Sequence, residues 1–125
     1  MMVRDCDPIF QKLYSGPAYQ LTTKFFNSIR SHLHPTSRVL NLGAGPATNN
    51  PATVRKGEVY ELVGADIDPD VLTNGELDRA VVLTDEKLPF PDDYFDVVFS
   101  DYVVEHVENP ATFLSEVHRV LKPGG

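Results

Sequence analysis

Two glycines, Gly43 and Gly45, follow directly on Val39-Leu40-Asn41-Leu42, and Asp66 stands 23 positions beyond the first of them. Neither glycine carries a Cβ, so the backbone can turn tightly there and come close to a ligand. A carboxylate about 20 residues past such a turn reaches the two ribose hydroxyls of a nucleotide, since it accepts from both and offers no competing donor. Two further apolar runs end in polar residues: Ala80–Leu83 in Thr84-Asp85-Glu86, and Phe95–Phe99 in Ser100-Asp101. Asp85 has two readings, an acceptor for an adenine amino group or a solvated loop residue. His106 titrates near neutral pH and is placed to move a proton if the chemistry needs it; a histidine on a helix surface is the plainer reading. His32, His34 and His118 read as surface residues.

These residues need a frame that brings them to one rim. Val39, Leu40 and Leu42 suit a strand covered on both faces, as in a parallel sheet. Asn41, among apolar neighbours, needs a hydrogen-bond partner if buried. Glu58 to Asp66 reads as a second strand, Ala80 to Leu83 as a third and Phe95 to Ser100 as a fourth. Leu21, Phe25, Phe26, Ile29 and Leu33 recur at helical spacing from Ala18 until Pro35 intervenes. Pro46 and Pro51 crowd the place of a helix after the first strand, which leaves a loop with at most a helical turn over Ala52–Lys56. Asp68-Pro69 is an N-cap followed by proline at the first helical position, with Asp70 in the first turn. Asn74-Gly75 marks a turn soon after. Asn109-Pro110 starts a last helix, whose apolar stripe is Phe113, Leu114, Val117, Val120 and Leu121; Lys122-Pro123-Gly124-Gly125 ends it.

A length of 125 residues is that of one domain, and 42% hydrophobic content supplies a core. The net charge of −7 argues against a surface that tracks nucleic-acid phosphates. A single cysteine, Cys6, excludes an intrachain disulfide and a cysteine metal cluster. No run of about 18 apolar residues and no apolar leader occurs, so a cytoplasmic protein without a membrane span is expected.

Taken in order, VLNLGAG, the acid in VGADID, and LPFPDDYFDVVFSDYVVEHVENPATFLSEVHRVLKPGG resemble class I S-adenosylmethionine-dependent methyltransferases of the small-molecule type. The resemblance covers about Arg38 to Gly125 and is most specific over the last 38 residues. It implies an α/β fold, a Rossmann-like three-layer sandwich with a mostly parallel sheet, and S-adenosylmethionine as cofactor. By the same resemblance Gly43 and Gly45 pass under the methionine portion of the cofactor, with Asn41 and Ala44 as further cofactor-binding residues. Asp66 holds the ribose, Ile67 packs on the adenine, and Asp85 approaches its amino group. Ser100 and Asp101 line the methyl-transfer side, and Glu105 with His106 matches a pair that faces substrate in some relatives. The implied reaction is methyl transfer to a small-molecule acceptor, with His106 as the candidate base.

The chain departs from the family pattern at Ala47, where a third glycine is common, and at Thr84, where an aspartate usually stands. Family domains also run on past LKPGG into three more strands. The expected organisation is therefore a helical segment over residues 1–37 and the cofactor-binding half of a methyltransferase domain over 38–125, C-terminally truncated. Its sheet would be incomplete at four strands, with a fourth-strand edge open to a partner strand or a second copy. Two other readings stand beside this one. A nicotinamide- or flavin-binding domain shares the glycines and the acid but wants glycine or alanine at Thr48. A degenerate domain would bind cofactor or a protein partner without catalysis.

Overall fold

The structure, a computed structural model, describes residues 17–48, 50–101 and 107–125. The chain forms two compact units, one of the residues up to Leu33 together with Thr48–Val54, the other of His34–Ala47 and Arg55–Gly125. In the first unit helix α1 (Pro17–Arg30) buries Phe26 and Ile29, and Phe25 meets Phe26 edge-on at 5.2 Å between ring centres. Leu21, expected on the buried stripe, is exposed. The helix stops before the Leu33 expected from its periodicity, because His32 and Leu33 donate to Ile29 and Arg30 in a tighter, three-residue pattern. The helical turn expected over Ala52–Lys56 does not form. Asn50 instead accepts from the Thr53 amide through its carbonyl and from the Ala52 amide through its side chain. The Arg30 guanidinium takes the carbonyls of Ala52 and Thr53, at 2.5 and 2.9 Å, and the Lys56 amide, which a helical turn would commit to Ala52, donates to the Glu76 carbonyl at 2.7 Å.

The second unit is built on four strands, β1 (Arg38–Leu42), β2 (Glu61–Asp66), β3 (Arg79–Val82) and β4 (Val97–Phe99), in the order β3-β2-β1-β4. All three pairings are parallel, as the α/β Rossmann-like expectation requires; Leu40, for example, lies level with Val63 on one side and Val98 on the other. Parallel neighbours need crossover connections, so the chain visits the carboxyl end of each strand before returning beneath the sheet. β2 starts at Glu61, later than the Glu58 read from the sequence, because Glu58 closes a turn with Arg55 through both backbone and side chain.

A repeated device sets where β3 and β4 begin. Asp78 donates its amide to the Leu62 carbonyl and accepts the Leu62 amide on its carboxylate; Asp96 does the same with Arg38. The carboxylate stands in for a backbone carbonyl at the first rung, so each strand opens in register with its neighbour. This also explains why β4 is narrower than the Phe95–Ser100 run: Asp96 pairs through its side chain, and Phe95 instead forms a bridge to Leu121.

On one face of the sheet Leu40, Leu42, Val63 and Ala65 form a core with Leu88, Phe90, Phe95 and Val120. Phe90 and Tyr94 meet Phe95 edge-on at 5.1 and 4.9 Å. Helix α2 (Pro110–Val120) covers this face through Phe113, Val117 and Val120. Asn109 caps it by accepting from the Thr112 amide, as its sequence predicts. Leu114, assigned to the buried stripe from its spacing, is 58% exposed, so the packed stripe is narrower than expected.

Arg119 fastens the stiff Leu88–Asp92 loop to this helix. Its guanidinium donates to the carbonyls of Leu88 and Phe90, to Asp92, and through two nitrogens to both oxygens of Glu116. Glu116 in turn accepts the Leu88 amide at 2.7 Å. A planar five-donor fork is suited to serving this many acceptors at once. The hydrogen bond from Arg119 holds the Glu116 carboxyl down at about 2, well below its ordinary 4.5. No helix among the described residues is long and apolar enough to cross a membrane.

The Glu116 carboxyl has a lower pKa folded than unfolded, so its contribution to stability is complete above the unfolded value and is lost as pH falls from about 4.5 toward 2. Urea unfolding across that window should show Glu116→Gln less stable than the parent near neutrality, with the gap closing in acid. Gly64 makes a second prediction. A Cβ there would overlap Leu77 and come within 2.9 Å of the Ala44 Cβ. Leu77 can rotate away, but Ala44 moves only if the glycine turn moves. Gly64→Ala should therefore cost about 1–3 kcal/mol by urea unfolding and disturb the amide resonances of residues 43–45.

Candidate functional site

The carboxyl ends of all four strands meet at one rim. β1 runs into Gly43 and Gly45, whose φ angles are +85° and +56°, the left-handed region that glycine tolerates without strain. A Cβ at Gly45 would meet nothing closer than an Asp66 oxygen at 3.8 Å, so conformation rather than space demands the glycine. The turn is held from below, since the amides of Gly43 and Ala44 both donate to the Ala65 carbonyl, at 2.7 and 3.3 Å.

Asp66, the last residue of β2, does more than its position suggested. Its Oδ2 accepts the Gly45 amide at 2.8 Å and its Oδ1 accepts the Asp68 amide at 3.0 Å. A carboxylate has about four acceptor positions, so each oxygen keeps one for a hydroxyl. Asp68 caps a 3-10 helix (Pro69–Thr73), accepting from the Asp70 amide as expected, and the helix ends at Asn74. Asn74 is buried and donates its side-chain N–H to the Gly45 carbonyl at 3.0 Å. From the sequence Asn74 with Gly75 reads only as a turn. Nothing local signals a partner 29 residues away; its one mark in the sequence is the Gly75 that follows it.

At this rim lies a cleft of about 880 Å³, within the size range of sites that take a nucleotide-sized molecule. Its apolar surface comes from Leu42, Leu83, Leu88 and Phe113, and from Ile67, whose side chain is 79% exposed. Its polar surface is acidic: Asp66, Asp68, Asp85, Glu86, Asp101 and Glu108, with no Lys, Arg or His among the described lining residues. Asn109 and Thr112, at the start of α2, close one side.

Of the residues singled out from sequence, the cleft brings together Gly43, Asp66, Ile67, Asp85 and Asp101. Asn41, Ala44, Gly45 and Ser100 are outside its lining. Asn41 is half-buried within β1, level with Gly64 and Phe99, and so escapes the full cost of burying an amide. Ala44 and Gly45 shape the turn behind the rim. Ser100 donates its hydroxyl to the Leu42 carbonyl at 2.8 Å and ties the end of β4 to the end of β1. Asp85 accepts the Lys87 amide on one oxygen. Glu105 and His106 lie outside the described residues. His32, His34 and His118 are exposed, as expected. No group of three or more His, Cys, Asp or Glu among the described residues is arranged to hold a metal ion.

Residues 40–125 match the family model described as "Methyltransferase domain". The chain is 36% identical over 111 residues to the ubiquinone/menaquinone biosynthesis C-methyltransferase UbiE of Burkholderia mallei, covering 82% of this chain and 46% of that protein. It is 34% identical over 126 residues to the protein of the same name from Paraburkholderia xenovorans, covering 94% and 51%. The chain thus spans about half the length of the relatives it matches. Among solved structures, the YcgJ protein from Bacillus subtilis superposes with a TM-score of 0.66 at 28% identity, over 82% of this chain and 47% of that one. An S-adenosylmethionine-dependent methyltransferase from Aquifex aeolicus shares the fold with a TM-score of 0.64 at 22% identity, over 94% and 63%. The glycine turn, the acid at the end of β2 and the LPFPD to LKPGG run all fall inside the matched stretch, and the chain belongs to the methyltransferase domain family.

Proposed function

We propose that the rim cleft binds S-adenosylmethionine and that this chain is the cofactor-binding half of an enzyme that methylates a small molecule. One observation carries the reading. The glycine turn, Asp66, Ile67, Asp85 and Asp101, found separately in the sequence, border one cleft at the carboxyl ends of parallel strands. In open α/β sheets that is where nucleotides bind.

The residues present fit the group. Asp66 keeps an acceptor position on each oxygen for the two ribose hydroxyls while its other positions hold Gly45 and Asp68. Ile67 offers an exposed apolar side chain beside it for a flat adenine ring, and Asp85 has acceptor capacity for the ring's amino group. The turn at Gly43–Gly45 would admit the methionine portion. When bound, the cofactor supplies a sulfonium-activated methyl group for in-line displacement. What the chain contributes is position, and an apolar wall of Leu42, Leu83, Leu88 and Phe113 that limits water. The acidic lining favours an uncharged or cationic acceptor over a phosphorylated or carboxylated one. Two relatives are named for C-methylation in ubiquinone and menaquinone biosynthesis, which makes a quinone precursor the first acceptor to try.

Isothermal titration with S-adenosylhomocysteine tests the reading. The expected result is saturable binding that Asp66→Ala weakens about tenfold to a hundredfold, the worth of one or two hydrogen bonds to a charged group, with thermal unfolding run in parallel to confirm that the variant is folded. Binding with undiminished affinity by the folded variant would overturn the assignment of Asp66. A folded parent that shows no binding would favour the non-catalytic, partner-binding reading.

A further inference from the structure

We propose that Asn74 is a positioning residue for the cofactor site, gripping the glycine turn from the side opposite Asp66. The inference rests on the reading of the cleft as that site. Gly45 is held at both ends of its own residue: its amide donates to the Asp66 carboxylate at 2.8 Å, and its carbonyl accepts from the Asn74 side chain at 3.0 Å. The two grips are joined by one short strut. Asp66 accepts the Asp68 amide, Asp68 caps the 3-10 helix, and the Asn74 amide closes that helix by donating to the Val71 carbonyl at 3.1 Å. Val71 anchors the strut, being fully buried, and the other end of the Asn74 side chain accepts the Glu76 amide at 2.9 Å. The result is a closed ring of hydrogen bonds running from Gly45 through Asp66, the strut and Asn74 back to Gly45.

The ring has a functional sense. Gly45 sits in a left-handed conformation, in a turn that must keep its shape while a ligand arrives or leaves. Asp66 holds only the peptide before Gly45, and without Asn74 the peptide after it could rotate. With Asn74 on the carbonyl, the carboxylate that meets the ribose and the turn that meets the methionine portion are set by the same strut. Asn74 lies outside the cleft lining, so it acts through Gly45 and not on ligand.

Asn74→Asp separates this role from a purely local one. A carboxylate still accepts the Glu76 amide but cannot donate to the Gly45 carbonyl. Two readouts apply to the full chain: affinity for S-adenosylhomocysteine, and the protection of the Gly45 amide from hydrogen exchange, measured by NMR without ligand. At about pH 8, where the new carboxyl is ionised, the variant should lose about tenfold in both. Asn74→Ala, with neither donor nor acceptor, should lose at least as much in both. Parent-like affinity and protection in Asn74→Asp at pH 8 would show that Asn74 merely ends the strut, and would overturn the proposal. Lost protection with unchanged affinity would overturn it too, since the grip would then not serve the ligand. Should the parent bind no S-adenosylhomocysteine, the functional reading fails while Gly45 protection still decides whether the grip exists.

Discussion

The carbonyl of Ala65 accepts two amides, those of Gly43 and Ala44, and the site depends on that pair of hydrogen bonds. Leu42 is paired level with Ala65 in the sheet, so the next amides of β1 have only this one rung left before the chain must leave. A single acceptor taking two successive amides forces a sharp change of direction. That change is what the positive φ of Gly43 and Gly45 accommodates. Asp66 follows Ala65 and therefore stands against the turn. Sheet register, turn and carboxylate are consequences of one another, which is why three ordinary features become one site.

Much of this was legible in the sequence because it depends on near neighbours. Buried strands announce themselves as short runs such as Val39–Leu42, and caps such as Asp68-Pro69 and Asn109-Pro110 carry their own chemistry. What the sequence hid was every side chain that works at a distance. Asn74 on Gly45, Ser100 on Leu42 and Arg119 on Leu88 span 29, 58 and 31 residues, and no periodicity marks them. The misplaced boundaries share this cause. Glu58 has strand-like neighbours, yet its own carboxylate closes a turn. The Ala52–Lys56 stretch lacks its helical turn because the Lys56 amide is taken by Glu76, 20 residues away.

The Leu88–Asp92 segment and the end of α2 teach a related lesson about motifs. Their residues were prominent enough to identify the family, which invites a chemical role for each. In the structure most of them hold one another. Arg119 and Glu116 fix the loop, Phe90 packs on Phe95, and Asp96 with Lys122 at 3.2 Å ties β4 to the segment after the helix. The cleft takes from this region an apolar wall, Leu88 and Phe113, whose position those polar contacts determine.

The strut between Asp68 and Asn74 has one further consequence, for which changes of length the chain tolerates. Most of its side chains face water and it contains only one fully buried residue, Val71, the profile of a segment where extra residues are normally absorbed at little cost. A 3-10 helix turns about 120° per residue, so one residue added or removed between the cap and Asn74 would swing that amide a third of a turn away from Gly45. Point substitutions at the exposed Leu72 or Thr73 leave the spacing intact, whereas a single insertion does not. In this segment the count of residues, more than their identity, is what the fold has to keep.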